Sequence, residues 1–284
     1  MATIISVINN KGGVGKTTST GILAELISYL GKKVLCIDLD QQSNLSMMLG
    51  CYHEDSENEI NGIKEAEQKN ITELFKYRYR TKEEVLPLIY HTPIQGLDII
   101  PSSKRHKNTQ LNISVNETGN NNIILKKALN TIKEDYDYIF IDNAPASDIL
   151  TVNSMFASDY ILTPVRVESF SYKGLKETLD SIAYIKEEHE LENANFLGAF
   201  ITQAETNTNI YKDLKTAYET ELKTKFLKTP IRKDIKISEI ETVFEPILKY
   251  NADTNAVFDY GMLLLELNIL DEKATDLLKK SLGE

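Results

Sequence analysis

Short apolar runs recur along this 284-residue chain, separated by longer stretches with helical spacing. Thr3–Ile8, Lys33–Leu39, Leu97–Pro101, Tyr138–Asp142, Tyr160–Pro164 and Phe196–Thr202 each read as a strand. Several are apolar throughout instead of alternating, which suits parallel strands covered on both faces. Helical patterns lie at Lys16–Leu30, Ile123–Lys133, Leu150–Phe156, Gly174–His189, Asn209–Leu222 and Ala256–Ile269. The alternation predicts an α/β fold with a doubly wound, mostly parallel sheet and helices on both faces. Gly50–Asn70 is polar and acidic and reads as a surface excursion, and Asn108–Asn122 reads as a loop. No repeat or linker divides the chain, so one domain over 1–284 is expected.

The junction of the first strand and first helix changes the picture from fold to chemistry. It reads Lys11-Gly12-Gly13-Val14-Gly15-Lys16-Thr17-Thr18. Glycines let backbone N–H groups turn inward around phosphates, and the helix N-terminus adds its partial positive charge at the same point. In such a loop Lys16 meets the β- and γ-phosphates, and the Thr17 hydroxyl ligates Mg²⁺. The usual G-x-x-x-x-G-K-[ST] pattern wants glycine at position 10, where this chain has Asn10, and it carries an extra lysine, Lys11. The site also needs an acid at the end of a neighbouring strand for the Mg²⁺ shell, and Tyr138–Asp142 supplies Asp142, through water. A second acidic strand end, Val34 to Asp40, places Asp40 where it can orient or deprotonate an attacking water.

Composition narrows the class without setting the chemistry. There are two cysteines, Cys36 and Cys51, and four scattered histidines without ligand spacing, so the expected metal is the one carried by the nucleotide. The cysteines are also too few for a shared iron–sulfur cluster. The chain enters a strand at once, leaving no room for a signal peptide, and no apolar stretch approaches the roughly 20 residues that span a bilayer. A cytoplasmic protein is expected. The net charge of −10 opposes nucleic acid overall, so any DNA binding must come from a local patch.

Lys11–Thr17, Asp38-Leu39-Asp40-Gln41-Gln42-Ser43-Asn44 and Ile141-Asp142-Asn143-Ala144-Pro145 together resemble the ParA/MinD family of partition and positioning ATPases, which carry a deviant phosphate loop (Walker A) with a signature lysine. The resemblance continues through Leu150–Asn153, Thr163–Val165, Lys173–Leu175 and Ile235–Glu239, and so covers essentially the full length. It implies a P-loop NTPase that binds ATP and Mg²⁺ and dimerises face to face around the nucleotide. Lys11 is then implied to reach the partner's phosphates, in the manner of an arginine finger supplied in trans. Asp40 matches the hydrolysis-promoting aspartate and Asp142 the magnesium-shell aspartate. Asp234 falls near the adenine-recognition loop. The chain departs from the family at Gln41, Ser43 and Asn143-Ala144, which bear on hydrolysis rate and switch-loop stiffness.

The family divides by what the ATP-bound dimer binds. The last residues, Thr275–Glu284, hold three leucines, two lysines and opposing acids, which make a poor membrane anchor and read as a packed helix end. Lys223 to Lys236 holds six basic residues and one acid, a reversal of sign suited to phosphate backbones. The stretch is similar to the family's non-specific DNA contacts, with which Lys233 and Lys236 align best, and Arg232 beside them is a further candidate for DNA. The smaller run Lys104–Lys107 reads as a solvated face. Nothing precedes the first strand, so no N-terminal helix-turn-helix is expected. The resemblance thus implies a nucleoid-associated DNA partition ATPase stimulated by a ParB-like centromere-binding partner. Two other readings stay open: a MinD-like ATPase positioning a protein assembly or division machinery, and a nucleotide-switch scaffold with negligible turnover.

Overall fold

The computed structural model describes residues 1–51, 59–60, 63–64, 69–76, 81–102, 120–168, 171–243 and 245–283. Most of Gly50–Asn70, nearly all of Asn108–Asn122 and the run Lys104–Lys107 lie outside them. The strands are β1 Thr3–Val7, β2 Val34–Asp38, β3 Glu59–Ile60, β4 Ile63–Lys64, β5 Tyr90–His91, β6 Leu97–Ile100, β7 Tyr138–Asp142, β8 Tyr160–Arg166 and β9 Asn195–Thr202. The helices are α1 Lys16–Tyr29, α2 Asn44–Met48, α3 Ile71–Phe75, α4 Lys82–Val85, α5 Ile124–Asn130, α6 Ile149–Ala157, α7 Ser171–Glu188, α8 Asn209–Leu222, α9 Ile235–Val243, α10 Ile247–Asn251, α11 Asn255–Leu267 and α12 Glu272–Leu282.

Seven described strands form one sheet in the order β5-β6-β2-β7-β1-β8-β9, parallel except for β5, which pairs antiparallel with β6. All six strands expected from the sequence are present. β8 runs two residues further, through Pro164. Pro164 fits because β1 pairs with β8 only as far as Leu162, so no ladder bond is lost at its nitrogen. β5 and the helices α2, α3, α4 and α10 hold two to five residues, too few to show a period.

The strand residues alternate between two cores. Ile5, Val34, Cys36, Tyr138 and Phe140 pack on the side that holds α1, α11 and α12. Ile4, Leu35, Ile37, Ile139 and Ile141 pack on the side that holds α3, α5 and α6. Full burial on both faces explains why these strands read as continuous apolar runs. α1 is covered nearly all round, from Thr18 to Ser28, because it lies between the sheet and α11.

One acid sits inside that packing. Glu25 of α1 is 1% exposed, and its carboxyl accepts the backbone N–H groups of Ile247 (3.0 Å) and Leu248 (2.7 Å) at the start of α10. Burial outweighs these two bonds and raises its pKa from 4.5 to about 7. A carboxyl with a raised folded-state pKa contributes stability in full below its unfolded value and loses it as pH rises through the folded one. Wild type minus Glu25→Gln stability, from urea unfolding, should therefore fall between pH 5 and pH 8, by at most about 3 kcal/mol. An equal difference at both pH values would show that Glu25 does not titrate in that window.

Candidate phosphate-binding site

The parallel register sets the site. Val7 pairs with Asp142 and Asp38 also pairs with Asp142, so β1, β2 and β7 end in one row. The loop after β1 leaves this row at the sheet's carboxyl edge, where ligands of open α/β sheets collect. Gly13 and Gly15 have φ of 70° and 84°, the left-handed region that side chains resist. Val14 between them is buried, and its carbonyl accepts the Thr202 hydroxyl at 2.8 Å. Asn9 braces the other end. Its side-chain amide donates to the Pro164 carbonyl at 2.8 Å, and its oxygen accepts the Lys11 N–H at 2.9 Å.

The two lysines of the loop part company. Lys16 is 6% exposed, and its ammonium folds back to donate to the Lys11 carbonyl at 3.0 Å. Burial lowers its pKa, while Asp142 and Asp40 oppose that shift. Lys11 is not among the walls of the cavity described below, and its ammonium pairs with Glu168 at 2.7 Å. The other oxygen of Glu168 accepts from Arg166 Nε at 3.2 Å. Both residues of the Lys11–Glu168 pair are more than a third exposed, a setting in which an ion pair contributes little, on the order of 1 kcal/mol or less.

Three carboxyls meet at these strand ends, and two of them, Asp142 and Asp40, act on Lys16. Asp38 is fully buried, and it accepts the Ser46 hydroxyl (2.6 Å), the Ser46 N–H (3.0 Å) and the Asp40 N–H (3.0 Å). Burial lifts its pKa to about 7 against those bonds. Asp142 accepts the Thr17 hydroxyl at 2.7 Å through one oxygen, and its other oxygen is buried with no partner. Burial and Asp38 push Asp142 well above the carboxylate range, with Thr17 and Lys16 pulling back. Asp40 lies on the wall of a cavity, one oxygen accepting the Gln42 N–H at 2.9 Å.

That cavity holds about 500 Å³ and is lined by Gly12, Gly13 and Gly15 to Thr18 of the loop, with Asp40, Pro145, Arg166 and Gln203 among the other walls. Its chemistry fits a phosphate chain carrying a divalent cation. Backbone N–H groups and Lys16 offer the anion site, and the unpartnered Asp142 oxygen beside the Thr17 hydroxyl offers the cation side. Among the described residues no group of three or more His, Cys, Asp or Glu side chains can hold a metal by itself. A cation here would need the phosphate oxygens as ligands. Cys36 and Cys51 are both buried, and burial pushes the Cys51 thiol up to about 12 and raises that of Cys36 well above its ordinary value.

Arg166 and Gln203 were not legible as site residues in the sequence. They follow apolar strands like many polar residues, and only the sheet order shows that both strand ends face the loop. The residues expected at DNA are distributed differently. Arg232 makes a bidentate pair with the buried Asp259, its Nη2 at 2.6 Å, while Lys233 pairs with Glu205 and Lys236 with Glu239, each at 2.7 Å. Lys223, Lys225 and Lys228 are exposed on the same stretch. Asp234 accepts the N–H groups of Lys236 (2.9 Å) and Ala256 (3.2 Å), tying α9 to the start of α11. No helix among the described residues is long and apolar enough to cross a membrane.

Comparison with known proteins agrees with this geometry. A family model described as an AAA domain matches residues 2–196. The chain is 29% identical over 251 residues to the sporulation initiation inhibitor protein Soj of Bacillus subtilis, an alignment covering 88% of this chain and 92% of that protein. A plasmid partition protein of Borrelia burgdorferi, solved with AMPPNP, is 26% identical with a TM-score of 0.74, covering 94% and 98% of the two chains. The septum site-determining protein MinD of Pyrococcus horikoshii, solved with Mg-ADP, is 21% identical with a TM-score of 0.70 over 94% and 96%, a likeness of fold.

The orphaned Asp142 oxygen carries a stability cost that needs no ligand to measure. With its folded pKa raised, Asp142 should weaken the ligand-free protein as pH rises above the ordinary carboxyl range. Asp142→Asn should then melt above wild type at pH 8, with a smaller gain at pH 5. A variant that melts below wild type at pH 8 would show that the charge is fully compensated.

Proposed function

The chain belongs to the ParA/MinD family of P-loop ATPases, and from that premise we propose that it is a DNA partition ATPase working as an ATP-bound dimer. The observation that carries this reading is the opposed aim of Lys16 and Lys11. One lysine is buried against its own cavity, while the other is not among that cavity's walls and lies 2.7 Å from Glu168. A lysine so placed serves a second subunit's phosphates better than its own. Lys11 would act in trans on the charge that develops at the transferred phosphoryl group.

Within one subunit Gly12, Gly13, Val14 and Gly15 present N–H groups to the phosphates of ATP, Lys16 neutralises them, and Thr18 closes the wall. Thr17 and Asp142 would hold Mg²⁺, which when bound offsets phosphate charge. Asp40 orients the attacking water from the cavity wall and accepts its proton. Asp234, beyond its two backbone bonds, keeps lone pairs to accept an amino group of the base. The expected reaction is hydrolysis of ATP to ADP and phosphate at a low basal rate, raised by a ParB-like partner bound at a centromere.

The DNA face would be the stretch from Lys223 to Lys236, with Arg232, Lys233 and Lys236 at its end, contacting phosphates without reading bases. Such a protein would work in the cytoplasm, on the nucleoid. One observation favours a second reading, a MinD-like ATPase that positions a protein assembly: Arg232, Lys233 and Lys236 each have an acidic partner in the same chain. DNA binding separates the two. The first reading expects the ATP-bound protein to bind DNA with affinity falling steeply with salt, and Lys233→Glu/Lys236→Glu to lose at least about tenfold. Binding unchanged in that double variant removes these lysines from the DNA face.

The nucleotide roles have their own test. Lys16→Ala should abolish ATP binding. Lys11→Ala should keep ADP affinity within a few-fold while losing ATP-dependent dimerisation, read by light scattering. Asp40→Ala should bind ATP and dimerise but hydrolyse it at least about 100-fold more slowly. An Asp40→Ala protein with wild-type turnover would remove that residue from the chemistry. A wild type that turns over no ATP even with DNA and partner would leave a nucleotide-switch scaffold.

A further inference from the structure

One face of α7 is bonded to both loops that border the nucleotide cavity. Gly174, Thr178 and Ser181 are four and three residues apart, the spacing that aligns side chains on a single helix face. Thr178 is completely buried. Its hydroxyl accepts the Asn10 N–H at 3.3 Å and shares its single proton between the Asn9 side-chain oxygen (3.2 Å) and the Gly174 carbonyl (3.0 Å). The same Asn9 oxygen accepts the Lys11 N–H at 2.9 Å. One turn further on, the Ser181 hydroxyl lies 2.7 Å from that of Ser147, which donates to the Asn10 side-chain oxygen at 3.1 Å. Ser147 belongs to the loop that follows Asp142.

These bonds converge on Asn9-Asn10-Lys11, where the chain leaves β1 and the outward lysine departs. None of them is made to the Gly13–Gly15 turn, where the Val14 carbonyl is held by Thr202, and Lys16 meets the hinge only through its own bond to the Lys11 carbonyl. A Cβ added at Gly174 would lie 3.7 Å from Lys11 Cδ, so the lysine stem runs beside the first turn of α7. The rest of α7 is fixed by its apolar face: Leu175 packs under β8 and β9, and Ile182 and Ile185 pack against Ile8 and Ile161. A helix anchored on that side offers a rigid reference for the loop.

We propose that Thr178 is a positioning residue: its hydroxyl ties the Asn9–Lys11 hinge to α7 and so sets the aim of Lys11, while leaving the subunit's own phosphate site to other bonds. The inference rests on the trans role of Lys11 and deepens it. It separates two functions that share one loop, holding a nucleotide and engaging a second subunit. Thr178 governs the second. Threonine suits the task because a buried hydroxyl can accept from one backbone group and donate to another. Valine has the same shape and can do neither, and it takes the hydroxyl partner away from the part-buried Asn10 N–H.

The experiment compares wild type, Thr178→Val, Thr178→Ala and Thr178→Ser. In both hydroxyl-free variants the proposal expects ADP affinity and the KM for ATP within about twofold of wild type. It expects the dimer dissociation constant in ATP to rise, and kcat to fall, by roughly tenfold, the size of one to two lost hydrogen bonds. Thr178→Ser, which keeps the hydroxyl, should recover most of both. Amide hydrogen exchange should show Asn10 released in the hydroxyl-free variants and protected in the serine variant. Wild-type dimerisation and kcat in Thr178→Val and Thr178→Ala overturn the proposal. So does a parallel loss of ADP affinity in both, which would make Thr178 a structural residue of the whole loop. A wild type that stays monomeric in ATP overturns the trans reading of Lys11 as well, and is told apart by needing no variant.

Discussion

Everything at the site depends on a buried ammonium set among carboxyls at the ends of parallel strands. Lys16 and Asp142 are almost wholly removed from water, and Asp38 is the register partner of Asp142. Removing such groups from water is costly, and mutual attraction repays it only when hydrogen bonds satisfy what remains. Asp38 is satisfied by Ser46 and the Asp40 backbone. Asp142 is left with one oxygen unmatched. Local imbalance of this kind persists because the surrounding sheet enforces it, and it marks where a charged ligand completes the structure.

The constraint explains the layout around it. The glycines must lie where they do because φ of 70° and 84° turns the loop back over the end of β1. α1 must be buried nearly all round, since its first residues are the site and its body is the core. Bracing then comes from far along the chain: Thr202 holds Val14, Pro164 holds Asn9, and Tyr260 meets Ser19 at 2.8 Å. The loop is rigid through these neighbours, because glycine-rich sequence alone favours freedom.

Much of this was legible in the sequence because it is local. Six strands announced themselves as apolar runs, and the loop, Asp40 and Asp142 were visible through their position at strand ends. α2, α3, α4 and α10 were not, because four or five residues hold barely one turn and carry no period. Arg166, Gln203 and Thr178 were missed for another reason. Each reaches the site only because the chain order β1-β8-β9 across the sheet brings residues far apart in sequence to one edge. Thr178 left a faint trace, a threonine in line with Gly174 and Ser181 on an otherwise apolar helix face, but the trace names no partner. The ion pairs at Arg232, Lys233 and Lys236 show the reverse limit: a basic run read by charge alone says nothing of the acids that fold against it.

The two thiols lend the site a protection of a different kind. Cys36 lies on β2 two residues before Asp38, fully buried, and both it and Cys51 have their ionisation pushed far above neutral pH. Oxidants and alkylating agents attack the thiolate, and here almost none exists. At the very strand that carries its acids, the folded chain thus offers such reagents no exposed thiol. A cysteine introduced on the surface would be the one sulfur a maleimide finds, which makes the native protein a silent background for spectroscopic labels.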